Sequence, residues 1–436
     1  MIRVICTLAA LLLPIKAFAI EIKEVTSPGG ITAWLVEEHS IPFVAMDIRF
    51  EGGANEDAPD KRGATHLMMG LLEEGAADMT AREFAEAAEA LAARMSFDAY
   101  SDTVSVEIQF LTENRDASVD LLRDALLAPH FDADAVERIR EQALAGLAAD
   151  ARDPQEIASK TLAALSFSEH PYGTPLEGTP ETIAALNIED LRAAHGRALT
   201  RDRVHVGVTG DITAEELAPL LDRLLGDLPE SSGTTVGTAD HRLEGGVTVV
   251  EFPSPQSAVL FGQEGIAFED PDYFSAFVLN HILGGSGFAS RLMREVREER
   301  GLTYGIGTYL APRDFAAQIL GQFSSSNDKA AEAIEIVRAE WARMASEGVS
   351  ETELETAKTF LTGAYPLRFD GNANIASILA GMQVTGLPID YIDSRNDRIE
   401  AVSLDDIRRV AARLLRPDAL HFVVVGQPEG IVSGNL

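Results

Sequence analysis

The chain contains one long internal repeat, and that repeat limits its possible folds more than any other feature. LNIEDLRAAHGRALTRDRVHVGVTGD, residues Leu186–Asp211, aligns without a gap with VSLDDIRRVAARLLRPDALHFVVVGQ, residues Val402–Gln427, at a spacing of 216. Each copy reads as an acidic helix start, an amphipathic helix, a short turn and an apolar strand that ends at Gly210 or Gly426. VEIQFLTENRDASVDLLRDAL (Val106–Leu126) and ILGQFSSSNDKAAEAIEIVRAEW (Ile319–Trp341) agree nearly in the same register, each a strand followed by a long helix. A supersecondary pattern repeated at so long a period indicates two homologous domains rather than a solenoid of short units.

At 436 residues the chain also exceeds what one ordinary core supports. The expected organisation is an N-terminal domain over residues 20–230, a linker over 231–246 and a C-terminal domain over 247–436. The Gly, Ser and Thr of PESSGTTVGTADHRLEGG (Pro229–Gly246) suit a flexible linker. Alternating β-branched runs predict strands at VAMDIRF, TVSVEIQF and VHVGVTG. Apolar residues at helical spacing predict helices over TAREFAEAAEALAARM and FDADAVERIREQALAGLAADA. Strands and helices do not alternate strictly, which favours an α+β fold: in each domain a mostly antiparallel sheet covered by helices on one face.

MIRVICTLAALLLPIKAFA has a basic start at Arg3, an apolar run from Val4 to Leu13 and a small-x-small end at Ala17–Ala19. It reads as a secretory signal, residues 1–19, cleaved before Ile20, with a periplasmic destination. The apolar run is shorter than the roughly 20 residues a membrane span needs, so no membrane insertion is expected after cleavage. The lone cysteine, Cys6, would leave with this segment, which excludes disulfides and thiolate metal sites from the mature chain. The formal net charge is −33, and it becomes two units more negative when Arg3 and Lys16 leave. Such a surface repels nucleic acid, which is not an expected partner.

GATHLMMGLLEEGA, Gly63–Ala76, places a histidine early in an apolar helical run. A zinc-peptidase helix carries two histidines at i and i+4 with a glutamate beside them as general base, and catalytic zinc takes three protein ligands. Here His66 stands alone, followed by Met69, which takes no proton, and Gly70, which ligates nothing. Glu73 lies two turns on, on the same face, so an improvised His66–Glu73 site is one reading and a packed or hydrogen-bonded histidine the other.

In the second half, LGGSGFASRLMREVREERGLTYGIGTYL (Leu283–Leu310) reads as a Gly-rich turn, a charged helix from Ser286 to Arg300, a cap at Gly301 and a strand from Leu302. It lacks the Lys-Ser/Thr of a phosphate loop and the frame of a nucleophile elbow. Its local pattern alone allows Arg291 a salt bridge with Glu295 and Tyr304 a half-buried strand position.

Over essentially the whole mature length, these motifs resemble the pitrilysin/insulinase family of inverted-motif zinc peptidases, which includes the mitochondrial processing peptidase. IRFEGGANEDAPDKRGATHLMMGLLEEGA is similar to the family's N-terminal signature, with Gly53, Glu56, Gly63 and His66 in place. It departs from the H-x-x-E-H motif at Met69 and Gly70. The resemblance puts the third zinc ligand eight residues before Pro154, at Gly146; Glu141 and Asp150 share that helix without falling on the position. HPYGTPLEGTPETI and the closing VTGD also resemble the family.

The same resemblance makes Asp98, Ala99 and Tyr100 part of a peptide-binding edge strand. It makes Arg291 and Tyr304 the arginine–tyrosine pair that acts on the scissile carbonyl. It therefore implies a non-metal subunit of a heterodimeric zinc peptidase. Arg291 and Tyr304 would serve a site whose zinc and H-x-x-E-H motif come from a homologous partner chain, and peptide would be hydrolysed only in the complex. This chain would bring no cofactor. The alternative is a non-enzymatic peptide-binding or scaffold protein of the same fold. A third reading, a peptidase with unorthodox ligands of its own, requires stoichiometric zinc in the isolated chain.

Overall fold

The computed structural model describes residues 20–434 except 232, 234, 235, 286 and 288; residues 1–19, expected to be an export signal, and with them Cys6, lie outside the described residues. The N-terminal half runs β1 (Lys23–Thr26), β2 (Thr32–Glu37), β3 (Phe43–Glu51), α1 (Ala64–Met69), β4 (Gly75–Ala76), β5 (Met79–Thr80) and α2 (Ala81–Ala90). It continues with β6 (Arg94–Ala99), β7 (Thr103–Leu111), α3 (Arg115–Leu127), α4 (Ala133–Asp150) and α5 (Pro154–Phe167). It closes with α6 (Pro180–Ala185), α7 (Ile188–Ala198), β8 (Val204–Gly210) and α8 (Ala214–Leu225). The second half opens with β9 (Gly246–Glu251), β10 (Gln256–Glu264), α9 (Tyr273–Gly284), a π-helical turn (Met293–Glu298), β11 (Thr303–Pro312) and β12 (Ala317–Ser326). It ends with α10 (Ala330–Glu347), α11 (Glu351–Ala364), α12 (Asn372–Val384), α13 (Tyr391–Glu400), α14 (Leu404–Leu414) and β13 (His421–Gly426).

The duplication is present in three dimensions. The first sheet has the order β1-β2-β8-β3-β7-β6 and the second the order β11-β12-β10-β13-β9. Without β1, the two orders superimpose as β2/β9, β8/β13, β3/β10, β7/β12 and β6/β11. Each sheet is antiparallel apart from one parallel pair, β2 with β8 and β9 with β13. The repeated helices begin alike: Asn187 caps α7 and Ser403 caps α14, each in a reciprocal box with the aspartate three residues on. Such a box satisfies backbone donors that the first turn leaves unpaired.

Helices cover both faces of each sheet, not the single face expected. One face of the first sheet packs into the N-terminal core through Leu35, Met46, Ile48, Val106 and Val208, while Trp34 and Val36 on the opposite face meet Leu379 and Met382 of α12. The second sheet buries Phe422 and Val424 in its own core and turns Val423 and Val425 toward Ala158 and Leu162 of α5. The two halves thus exchange helices, each covering the other's outer sheet face. Gly207 on β8 makes one exchange possible, because a Cβ there would lie 2.1 Å from the Ala376 carbonyl oxygen of α12.

Other details depart from expectation. The helix expected to reach Met95 stops at Ala90, because the chain turns through a left-handed Ala92 and Arg94–Ala99 pairs with β7. The segment expected to be a flexible linker is held at its C-terminal end: the Ala239 N–H donates to Phe315 and the Arg242 N–H to Ser166, and Gly246 already belongs to β9. The charged helix expected from Ser286 takes helical form only from Arg291.

Candidate functional site

The residues around α1 explain why a zinc-peptidase signature persists around incomplete ligands. Gly63 caps α1 in the left-handed region at φ 91, and a Cβ there would lie 2.3 Å from the Glu177 carbonyl oxygen. Only glycine fits both demands. Asp57 accepts from the Thr65 N–H and hydroxyl at 3.1 and 2.7 Å and pairs with Arg197 at 2.5 Å. Glu56 pairs with Arg203. Burial pushes both carboxyls above their ordinary range, against the pull of these arginines. Asp57 therefore anchors the start of α1 through Thr65, and the signature residue Glu56 is tied to Arg203 and Arg197 beside it, structural tasks that need no metal.

Beyond this anchor lies a cleft of about 600 Å³ between α1, α4 and the edge strand β6. His66, Gly70, Glu73, Asp98, Ala99, Gly146 and Asp150 line it. The fold thus brings His66, Gly70 and Gly146 to one place, as the resemblance implied, with the edge strand alongside. Tyr100 follows β6 and is exposed. Met69 is absent from the cleft: it is 1% exposed, inside the N-terminal core.

The donor set does not fit zinc. Among the described residues no group of three or more metal-ligating side chains is assembled. A Cβ at Gly146 would meet nothing within 4 Å, and one at Gly70 would come no closer than 3.4 Å to Ile139. The positions that would carry two further ligands thus hold no donor side chain: Gly146 faces open space and Gly70 borders Ile139. Glu73, the candidate for an improvised site, has its carboxyl pushed up by burial and by Glu74. Asp150 is committed to Lys160 at 2.8 Å, and Glu141 does not line the cleft.

The second region lies on the other half. A cavity of about 920 Å³ runs between the glycine-rich turn after α9 and the edge strand β11. One extra residue in β11 between Thr303 and Ile306 interrupts its register with β12. Such a bulge bends a strand and re-aims its side chains. Tyr304, inside the bulge, is 89% exposed, not half-buried. Above its ring, 5.0 Å from the centroid, sits the guanidinium of Arg297.

Arg291 is engaged elsewhere. It is 8% exposed and donates through Nε and Nη2 to Glu353 at 2.7 and 2.9 Å, with a further bond from Nη2 to the Gly348 carbonyl. Within this chain Arg291, expected to share a site with Tyr304, ties the helical turn to the start of α11, and the guanidinium beside Tyr304 is that of Arg297. The local alternative, a salt bridge for Arg291, holds in kind but with Glu353 instead of Glu295; Glu295 pairs with Arg300. Arg297 could have been found from the turn at Gly301 (φ 60), which folds the last helical turn back beside the start of β11.

Two family models match this chain: the insulinase (M16) peptidase model over residues 33–180 and the M16 inactive-domain model over residues 185–361. The chain belongs to the M16, or insulinase, peptidase family. It is 26% identical to a Helicobacter pylori protein described as the non-peptidase homolog YmxG, over 89% of this chain and 90% of that one. It is 22% identical to a Bacillus subtilis protein described as the uncharacterized zinc protease YmxG, over 91% and 96%. Among solved structures it is similar to a peptidase M16 inactive domain from Pseudomonas fluorescens, with a TM-score of 0.88 and 26% identity over 95% of this chain and all of that one.

Proposed function

We propose that this M16 homologue hydrolyses no peptide alone and serves as the non-metal subunit of a two-chain zinc peptidase. The observation that carries the reading is the contrast between its halves. The N-terminal cleft has one histidine facing two glycines, whereas the C-terminal half presents Tyr304 almost wholly exposed beneath Arg297. A homologous partner would bring zinc and the H-x-x-E-H helix.

This chain's own chemistry would be hydrogen bonding. The Tyr304 hydroxyl can donate to a carbonyl oxygen as negative charge develops on it. Arg297, over the ring, would add positive charge beside that carbonyl. A periplasmic complex is supported by the signal-like residues 1–19, and the acidic surface disfavours nucleic acid as a partner.

The test is co-expression with a zinc-bearing M16 chain. Tyr304→Phe and Arg297→Ala should each lower kcat of the complex, by about 10²–10³-fold for an oxyanion donor, with assembly intact. Unchanged turnover in both variants would refute the assignment. A second reading, peptide binding without hydrolysis, is favoured by one observation: β6 leaves an edge of its sheet unpaired along the His66 cleft. Peptide binding by the isolated chain that needs no zinc-bearing partner would select it.

A further inference from the structure

Away from both regions, a cavity of about 410 Å³ opens between α12, α13 and the turn at residues 365–369. Three arginines line it: Arg49, Arg368 and Arg395. Arg49, on β3, is neutralised by the buried Asp47 at 2.9 Å and also donates to the Ser377 hydroxyl at 2.8 Å. The other two differ. Arg395 is 6% exposed; its Nη1 donates to the Leu361 carbonyl at 3.2 Å and the Asn396 side-chain oxygen at 3.0 Å, and the guanidinium also hydrogen-bonds the Tyr391 hydroxyl. Its guanidinium lies 4.1 Å from the centroid of the Tyr365 ring.

Burial lowers the proton affinity of Arg395, the positive charge of Arg368 lowers it further, and the groups that oppose this are the phenols Tyr391 and Tyr365. Among the described residues no carboxylate forms an ion pair with Arg395 or Arg368, although the chain carries 69 acidic residues against 36 basic ones. Of the other arginines this deeply buried, Arg291 is paired with Glu353, and Arg62, held by backbone carbonyls, has the charges of Asp57 and Glu177 near it.

A guanidinium taken out of water without a counter-ion is costly, and a like charge beside it adds to the cost. A bound anion removes both penalties, and arginine's fork matches a carboxylate in two bonds. The cavity is also lined by the apolar side chains of Phe369, Ile378, Met382 and Leu387, with the polar Asn374, Ser377 and Thr385 among them. A cavity with convergent polar groups on one side and apolar side chains on the other orients an amphipathic small molecule. We infer that the cavity between α12, α13 and the 365–369 turn binds a small organic carboxylate, its head on Arg395 and Arg368 and its apolar body against Phe369, Ile378 and Met382. This site does not depend on the proposed partnership with a zinc-bearing chain.

Calorimetric titration of the mature chain with 3-phenylpropionate tests it, with 3-phenylpropan-1-ol as the uncharged analogue and inorganic phosphate as a bare anion. The acid should bind at one site, with the alcohol at least about tenfold weaker. Arg368→Gln, at an exposed position, should weaken the acid by about tenfold or more and leave the thermal midpoint unchanged. Arg395→Lys, which keeps the charge and loses the fork, should weaken it as well. Equal affinity for acid and alcohol, undiminished binding in Arg368→Gln, binding of phosphate alone, or no heat with millimolar acid would each overturn the inference.

Discussion

Arg291 and Arg297 lie in the same motif of the same chain, and their different fates show what single side chains decide here. The run S-R-L-M-R-E-V-R-E contains three arginines, and nothing in its composition ranks them. Arg291 is drawn inward by Glu353, whose carboxyl it holds down to about 2, well below the ordinary 4.5. A carboxyl depressed in the folded state stabilises the fold above its unfolded value, and that contribution disappears as pH falls from about 4.5 toward 2. Arg291→Ala should therefore cost about 1.5–3 kcal/mol at neutral pH, and the loss should shrink in acid, as read by denaturant unfolding at pH 7 and pH 3. A variant as stable as the parent at pH 7 would contradict this structural role.

The cleft glycines allow the converse experiment, a gain of function. Gly70 and Gly146 have room for side chains beside His66. Gly70→His with Gly146→Glu should create a three-ligand set that retains about one zinc per chain after dialysis, measured by metal analysis, against none in the parent. Peptidase activity should not follow, because Met69 is sealed in the core where a general base would be needed.

Among elements, the exchange of α5 and α12 matters most. Strand β13 reads HFVVVG, an unbroken apolar run, and such a run fits a strand buried on both faces. The run was readable in the sequence, but what covers its second face was not, since α5 lies far away along the chain. Gly207 marks the equivalent contact on the first sheet, where the α12 backbone approaches β8 closely. Gly207→Ala should displace α12 and lower stability by about 1–3 kcal/mol, measured by chemical denaturation. Gly146→Ala, where the added methyl meets nothing and the position is inside α4, is the control and should leave stability unchanged or raise it by up to about 1 kcal/mol.

For the whole molecule, the exchanged helices make the two homologous halves interdependent. Separated, residues 20–230 would leave Trp34 and Val36 uncovered, and residues 247–436 would leave Val423 and Val425 uncovered. Exposed apolar patches of this kind promote aggregation. Each half expressed alone should be insoluble or bind a hydrophobic dye strongly, and co-expression should restore a soluble pair seen by size-exclusion chromatography. Two independently soluble, cooperatively unfolding halves would show that the exchange contributes little. The polar ties between halves point the same way: the Tyr172 hydroxyl donates to Asp102 at 2.8 Å and accepts from the Phe315 N–H at 3.2 Å.

The grouping of His66, Gly70 and Gly146, which converge in one cleft, was implied by the family resemblance; from the chain's own pattern came the duplication, the α+β class, and the repeated helix starts and strand ends. Those are local or periodic properties: caps, alternation and spacing act within a few residues, and a repeat doubles the signal. The tertiary structure alone decided that Met69 faces the core, that Arg291 is spent on Glu353 while Arg297 stands over Tyr304, and that each half wears the other's helix. The reason is that a guanidinium or an apolar face is committed by whichever partner packs nearest in space, and those partners lie tens to hundreds of residues away in sequence.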